Sequence, residues 1–104
     1  MKILQLNKNN ISDISILEKV KFEKLESLCL SQNKISDISI FEKVNFKKLK
    51  QLYLAENNIS DISVFEKINL DKLETLSLLN NSIDILKSDS IINKLNEKIN
   101  NFYY

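Results

Sequence analysis

At 104 residues and a formal net charge of +1, the chain fits one small domain and has no overall field to draw it to nucleic acid or an anionic membrane. All 15 basic residues are lysines, so the bidentate forks that arginine forms with phosphate or guanine are excluded. Histidine is also absent, which excludes Ser-His and Cys-His activation of a nucleophile. We therefore expect no enzyme, no cofactor, no nucleic-acid partner and no membrane association.

The single cysteine, Cys29, cannot form an internal disulfide and fits a reducing compartment. Patterned sequence follows Met1 directly, without a signal segment or an apolar run long enough to span a bilayer. We therefore expect a cytoplasmic protein. The absence of Gly, Pro and Trp beside abundant Ile, Asn and Lys is typical of an AT-rich genome.

One pattern, Leu-x-x-Leu-x-Leu-x-x-Asn-x-Ile, organises the chain. It begins at Leu25 and recurs in the same frame at Leu49 and Leu73, and one step back starts at Met1. One step beyond Leu73 reaches Glu97, where the pattern fails. The sequence predicts four stacked turns, over residues 1–24, 25–48, 49–72 and, in part, 73–86.

Each turn is predicted to begin with a short strand, because Leu-x-Leu alternates apolar and variable residues. The inward pairs of successive parallel strands are Leu4/Leu6, Leu28/Leu30, Leu52/Leu54 and Leu76/Leu78. The first strand, Ile3–Gln5, is expected to be an exposed sheet edge to which a second copy or a partner strand could add, forming a homodimer in the first case.

An asparagine follows each strand where the chain turns, at Asn9, Asn33, Asn57 and Asn81. An inward amide at this position can satisfy backbone groups of its own and neighbouring turns, so we predict a buried asparagine ladder.

The stretch Ile-Ser-Asp-Ile-Ser is identical in three turns, at 11–15, 35–39 and 59–63. It favours the start of a helix on the convex side. Two caps are possible: a capping box, as in Ser15 with Glu18 and its equivalents Ser39 with Glu42 and Ser63 with Glu66, or an earlier cap by Asp13, Asp37 and Asp61. The apolar residues that follow form an inner stripe: Leu17, Val20, Phe22, Phe41, Val44, Phe46, Phe65, Ile68 and Leu70.

The final segment, 87–104, is predicted to be a C-terminal capping helix that covers the open core. Ser88, Asp89 and Ser90 supply N-cap chemistry. The residues predicted to share one helical face are Ile91, Ile92, Leu95, Ile99 and Phe102. Tyr103 and Tyr104 would pack on the last turn or contribute to an interface.

Function is predicted on the outward strand positions, which vary between turns while the inward ones repeat. Tyr53 is the only aromatic residue among them and tyrosine is a favoured interface anchor, although tyrosine is also common in sheets for packing reasons alone. The candidate contact residues are Gln5, Lys8, Ser27, Cys29, Gln32, Gln51, Tyr53, Glu56, Thr75, Ser77 and Leu79.

The repeats and the phrase Asn-x-Ile-Ser-Asp-Ile-Ser resemble the leucine-rich-repeat superfamily, in particular internalins and phosphatase-regulator-type repeats. The resemblance runs from Met1 to about Leu86. It implies an α/β right-handed solenoid, with a parallel sheet on the concave face and short helices on the convex face, that binds a protein partner. The turns are slightly longer than is usual in these relatives, and the extra residues, within 42–48 and its equivalents, suggest fuller helices.

A protein-binding module is one of several functions that these residues allow. The aspartate column at 13, 37 and 61 could collect a hard cation, although turn formation accounts for it without a metal, and we predict no metal site. The lysines at 21, 24, 47, 48, 50 and 72 are interrupted by acidic residues, which favours a solvated mixed-charge face over a basic strip. The chain could instead be a self-associating assembly unit, through the first strand or the terminal aromatics, or part of a larger effector or regulatory protein.

Overall fold

The computed structural model of the chain describes residues 2–19, 22–44 and 46–104. Met1, Val20 and Lys21, to which the sequence pattern also assigned positions, lie outside the described residues. No helix among the described residues is long and apolar enough to cross a membrane.

Within these described ranges, five parallel strands form one sheet in chain order, so each turn of the chain adds its strand beside the preceding one. The strands are β1 Ile3–Gln5, β2 Ser27–Cys29, β3 Gln51–Tyr53, β4 Thr75–Ser77 and β5 Asn101–Tyr103. The first four keep the register of the repeat: Leu4, Leu28, Leu52 and Leu76 are paired in one row. The prediction of an α/β solenoid with a parallel sheet is confirmed, and the outward surface of this sheet is its concave face.

The core lies directly beneath the sheet, where the leucine and isoleucine positions of the repeat face inward. Leu28, Leu30 and Ile35 have no exposed surface, and the equivalent residues of the third turn are at most 1 % exposed. The first turn differs, because Leu4, Leu6 and Ile11 are only partly buried. The core is therefore fully enclosed in the middle turns and partly open at the β1 end.

The asparagine ladder connects adjacent turns through the side chains that the sequence singled out. Asn57 Nδ2 donates to the carbonyl oxygens of Leu30 and Leu54 at 3.0 and 3.1 Å, and its Oδ1 accepts a hydrogen bond from Ile35 N–H at 3.0 Å. Asn33 and Asn81 form the equivalent bonds, and each of them also links its own turn to the preceding one. The predicted ladder is confirmed for these three residues, of which Asn81 is only partly buried, whereas the exposed Asn9 donates only within its own turn among the described residues.

The convex side carries short 3₁₀ helices, not the fuller helices expected from the longer repeat. They span Ser15–Lys19, Ser39–Glu42 and Ser63–Glu66. The capping boxes are not formed: the second and third helices have Ile38 and Ile62 as N-caps, without a side-chain cap. A single tight turn suffices to bury the first apolar residue of the stripe in each turn, since Leu17, Phe41 and Phe65 already reach the core.

The aspartate of each Ile-Ser-Asp-Ile-Ser stretch forms the turn that starts the 3₁₀ helix. Asp13 Oδ1 accepts a hydrogen bond from the Ser15 backbone N–H at 2.9 Å, and the two equivalent pairs have the same distance: Asp37 with Ser39, and Asp61 with Ser63. Such a turn holds the backbone two residues ahead. Of the two caps that the sequence left open, the aspartate is the one that engages the backbone.

The predicted C-terminal helix is present, but it does not extend over the whole of 87–104. The α-helix α1 spans Asp89–Lys98 and buries Ile92 and Leu95, but its N-cap Ser88 forms no side-chain cap. The chain then extends, and Phe102 occupies the inward position of β5 beside Leu76. The helix ends early because strand pairing with β4 satisfies the backbone beyond Ile99, for example through Leu78 N–H donating to Tyr103 O at 2.7 Å, and Phe102 is still partly buried.

Candidate functional site

Two rows of outward side chains cross the concave face. One row contains Ser27, Gln51 and Thr75, continued by Asn101 on β5. The other runs from Gln5 through the residues in line with it on each following strand, which are Cys29, Tyr53, Ser77 and Tyr103. Because the strands are in register, each row is a line of side chains about 4.8 Å apart.

Most of the candidate residues have surface available to a partner. Those classed as exposed are Gln5, Lys8, Gln32, Glu56 and Leu79. Those that are partly exposed are Ser27, Cys29, Gln51, Tyr53 and Thr75. Ten of the eleven predicted residues are therefore at least partly exposed, and the register aligns those that lie on the strands on one face.

Ser77 is the exception in accessibility, and its role as a contact residue stays a prediction. It is only 7 % exposed, although it points outward from β4. Its short side chain lies between Tyr53 and Tyr103 in the same row, and these larger neighbours cover it. Alternation within one strand indicates which way a side chain points but not how tall its neighbours are.

Tyr103 and Asn101 are surface residues that the sequence interpretation did not place on this face. Tyr103 is 47 % exposed and adds a second aromatic side chain to the row of Tyr53. Phe102 faces the opposite way, and its ring centroid lies 4.9 Å from that of Tyr104. The alternation of Asn101, Phe102 and Tyr103 is a strand signal that could have identified β5, had a change in repeat length been allowed.

The edge of the concave face beyond the strands is formed by residues with left-handed backbones. Lys8, Gln32, Glu56 and Asn80 have φ angles of 57° to 59° and end the strand segment of each turn. Between two turns, Gln32 Nε2 donates a hydrogen bond to Glu56 Oε2 at 3.0 Å. These side chains border the face in a fixed order: basic, neutral, acidic, neutral.

The opposite edge, which precedes the strands, alternates in charge. Glu26 carboxylate oxygens lie 3.8 Å from Lys2 Nζ and 3.4 Å from Lys50 Nζ. Glu74 occupies the next position and is exposed. Exposed ion pairs of this kind contribute at most about 1 kcal/mol each, so they orient side chains more than they stabilise the fold.

The carboxylates of the aspartate column, Asp13, Asp37 and Asp61, accept hydrogen bonds in the turns that start the 3₁₀ helices. Hydrogen bonds from the Ser15 backbone and then its hydroxyl lower the pKa of Asp13. The pKa values of Asp37 and Asp61 are lowered in the same way, first by the hydroxyl groups of Ser39 and Ser63. Within residues 2–19, 22–44 and 46–104, no group of three or more His, Cys, Asp or Glu side chains could hold a metal ion.

This arrangement predicts a loss of stability in acid. Because the pKa values of Asp13, Asp37 and Asp61 are lowered on folding, their stabilising effect is complete above the ordinary value of 3.8 and disappears as pH falls through the folded values. We expect urea midpoints measured between pH 6 and pH 2 to fall less steeply when all three are replaced by asparagine, because its side-chain oxygen accepts the same bond without titrating. Parallel profiles for the two chains would contradict this assignment.

Comparison with known proteins identifies the repeat. A model described as leucine-rich repeats, in two copies, matches residues 1–43 and 47–88. The chain belongs to the leucine-rich-repeat family. An internalin (InlF) from Listeria monocytogenes has a similar structure, with a TM-score of 0.76 and 31 % sequence identity over 98 % of this chain. A search of curated proteins found no match.

This leucine-rich-repeat chain spans only 28 % of the length of that internalin chain. The resemblance to internalins that the sequence suggested is confirmed at the level of fold and repeat. Repeats of this family serve as protein-interaction modules and are typically non-catalytic, and the concave face is where this chain places its variable side chains.

Proposed function

We propose that the chain binds a protein partner through its concave face and carries out no catalysis itself. The observation that carries this proposal is the contrast between two sets of positions in one sheet. The inward row is leucine on β1 to β4, whereas the outward row changes from Gln5 to Cys29, Tyr53 and Ser77. The fold requires the first set and leaves the second free to match a partner.

The composition of this face supports a protein as the partner. Tyr53 lies on the central strand with Gln51 two residues before it, so that an aromatic anchor is surrounded by uncharged polar groups. Aromatic residues near the centre of a surface, bordered by polar ones, are characteristic of protein interfaces. Charged residues stay at the two edges of the face, as in the rim of such an interface.

Replacing Gln51 and Tyr53 together with alanine tests this proposal. In affinity capture from the source cell, we expect the double variant to retain roughly tenfold less of the protein that the wild-type chain enriches, because both side chains would lie at the interface. The matched control replaces Glu18 and Lys19, exposed residues of the convex side, with alanine. Equal loss in both variants, or no loss in the first, would argue against the concave face.

Self-association is a second candidate, favoured by the state of the first turn. Among the strands that the structure describes, β1 pairs with β2 alone, Ile3 on it is 61 % exposed, and the inward Leu4 and Leu6 are only partly buried. An unpaired strand edge beside a partly open core is a site to which a second copy of the chain could add its own β1.

Ile3→Lys discriminates this candidate, because a charge on an edge strand opposes strand addition. If the chain associates through β1, sedimentation should give a dimer for the wild type and a monomer for Ile3→Lys. Ile16→Lys is the matched control, since Ile16 has the same 61 % exposure on the convex side and its variant should remain dimeric. A wild-type monomer at all accessible concentrations would eliminate the candidate.

A further inference from the structure

Three large side chains, Tyr53, Leu79 and Tyr103, surround Ser77 on the concave face. The two tyrosines flank Ser77 in the same outward row. Leu79 follows Ser77 by two residues, roughly 7 Å along the chain, and points outward as well because Leu78 between them is buried. Tyr103 and Leu79 are 47 % and 42 % exposed, whereas Ser77 is only 7 % exposed. The larger side chains therefore cover the serine and form one continuous surface, which we call the apolar patch.

The apolar patch lies in a part of the face that carries no charge. Every outward side chain of the five strands is uncharged, although 28% of the residues in the chain are charged. The charges stand at the edges of the face: Glu56 accepts a hydrogen bond from Gln32 at 3.0 Å, Lys50 lies 3.4 Å from Glu26, and Glu74 is exposed. A charged group laid over the patch would lose water without an ion partner in the outward rows. The patch therefore favours an uncharged, apolar group.

The rest of the concave face is more polar than the patch. The outward residues of β1 and β2 are small or polar, apart from Ile3 at the edge. Next to the patch, Asn101 Nδ2 donates a hydrogen bond to Thr75 Oγ1 at 3.4 Å, and Gln51 continues this row on β3. These amide and hydroxyl groups can bind the main chain of a partner on one side of the patch. An apolar centre bordered by uncharged polar groups is the usual composition of the energetically dominant part of a protein interface.

We propose that the apolar patch is the anchor of the concave face and binds a large apolar side chain of the protein partner. The ring faces of the two tyrosines and the methyl groups of Leu79 contact that side chain, and release of water from apolar surface provides the affinity. This inference rests on the proposed function, since it names the chemistry that the partner presents to the face. It also places the centre of the interface over β4, between Tyr53 and Tyr103.

The test uses the full chain with ¹³C-labelled leucine methyl groups and tyrosine rings, and three capped tripeptides: Ala-Phe-Ala, Ala-Lys-Ala and Ala-Glu-Ala. Because a single side chain binds in the millimolar range, each peptide is added to about 20 mM. We expect Ala-Phe-Ala to shift the NMR signals of Tyr53, Leu79 and Tyr103, and the two charged peptides to leave them in place. Leu86 is the internal control: it is 90 % exposed but lies in the turn before α1, so its methyl signals should not move.

Variants of the patch sharpen the result. Leu79→Ala and Tyr103→Ala should each weaken the binding of Ala-Phe-Ala at least about threefold, because each removes apolar contact surface. Tyr103→Phe should retain the binding, since the ring remains. Leu86→Ala is the matched control for Leu79→Ala and should bind the peptide as the wild type does.

Four results would overturn the inference: no shift with any peptide, equal shifts with a charged peptide, a shift of Leu86 as large as that of Leu79, or unchanged binding by Leu79→Ala and Tyr103→Ala. Such a failure is distinguishable from a failure of the proposed function. Capture of the natural partner, and its loss in the double variant of Gln51 and Tyr53, do not depend on what the peptides bind.

Discussion

Asn57→Ala should lower the free energy of unfolding by about 2–4 kcal/mol, a large share of the stability of a domain of this size. Asn57 is 6 % exposed and joins two turns: Nδ2 donates to the carbonyls of Leu30 and Leu54, and Oδ1 accepts from Ile35 N–H. Alanine leaves the Ile35 N–H without its acceptor in a buried position, where water cannot replace the lost bond. Urea unfolding followed by circular dichroism measures the effect.

The matched control is Asn9→Ala at the equivalent position of the first turn. Asn9 is exposed and donates only to the carbonyls of Leu6 and Asn7, so water can replace both bonds. We expect a loss of at most about 1 kcal/mol. If the two variants were equally destabilised, the cost would come from removing an amide in a turn, and the ladder between turns would not be its source.

Leu52→Ala should cost about 2–5 kcal/mol, the range for a fully buried leucine. Leu52 is 1 % exposed on the central strand, and Leu28 and Leu76 flank it in the inward row. Packing against a turn on each side prevents the structure from collapsing into the space that alanine leaves. The same unfolding measurement reports the loss.

Leu4→Ala provides the comparison within the same row. Leu4 is only partly buried because, in the described part of the chain, β1 has a neighbouring strand on one side alone. We expect about half the loss of Leu52→Ala, since part of the side chain is already in contact with water. A loss as large as that of Leu52→Ala would contradict a core that is open at the β1 end.

The sheet and the ladder could be predicted from the sequence because each structural requirement, an inward apolar residue or an amide in the following turn, is met by the same residue type in every repeat. Leu52 marks an inward strand position and Asn57 marks the turn after it, and both demands are repeated in register in every turn. The strand Ile3–Gln5 was predicted with its observed bounds for the same reason.

The helices and the end of the chain could not be predicted in the same way. A capping box at Ser39 and Glu42 and a turn at Asp37 are both local options, and the structure adopts the turn because Asp37 reaches the Ser39 N–H. β5 was missed because Asn101 is paired with Thr75 across 26 residues, whereas Thr75 and Gln51 are 24 residues apart. A pattern of constant spacing does not reach it.

The candidate site, like the fold, could be predicted from the sequence only in part. The sequence predicted which side chains point outward, and most of these are accessible, as with Gln5 and Tyr53. It did not predict that Ser77 would be covered or that Tyr103 would stand beside it, because both facts depend on the neighbouring strand. The pairing of β5 with β4, across 26 residues, is the part of the register that the 24-residue repeat does not give.

Occupation of the concave face by a partner is tested most directly by photo-cross-linking from Cys29. Cys29 is the only cysteine of the chain, is a free thiol, and lies partly exposed between Gln5 and Tyr53 in the outward row. A benzophenone maleimide attached there should cross-link the captured partner on irradiation. The same label on a Cys29→Ser, Lys43→Cys variant, at an exposed convex position, should not. Cross-linking from residue 43 with none from Cys29 would contradict binding through the concave face.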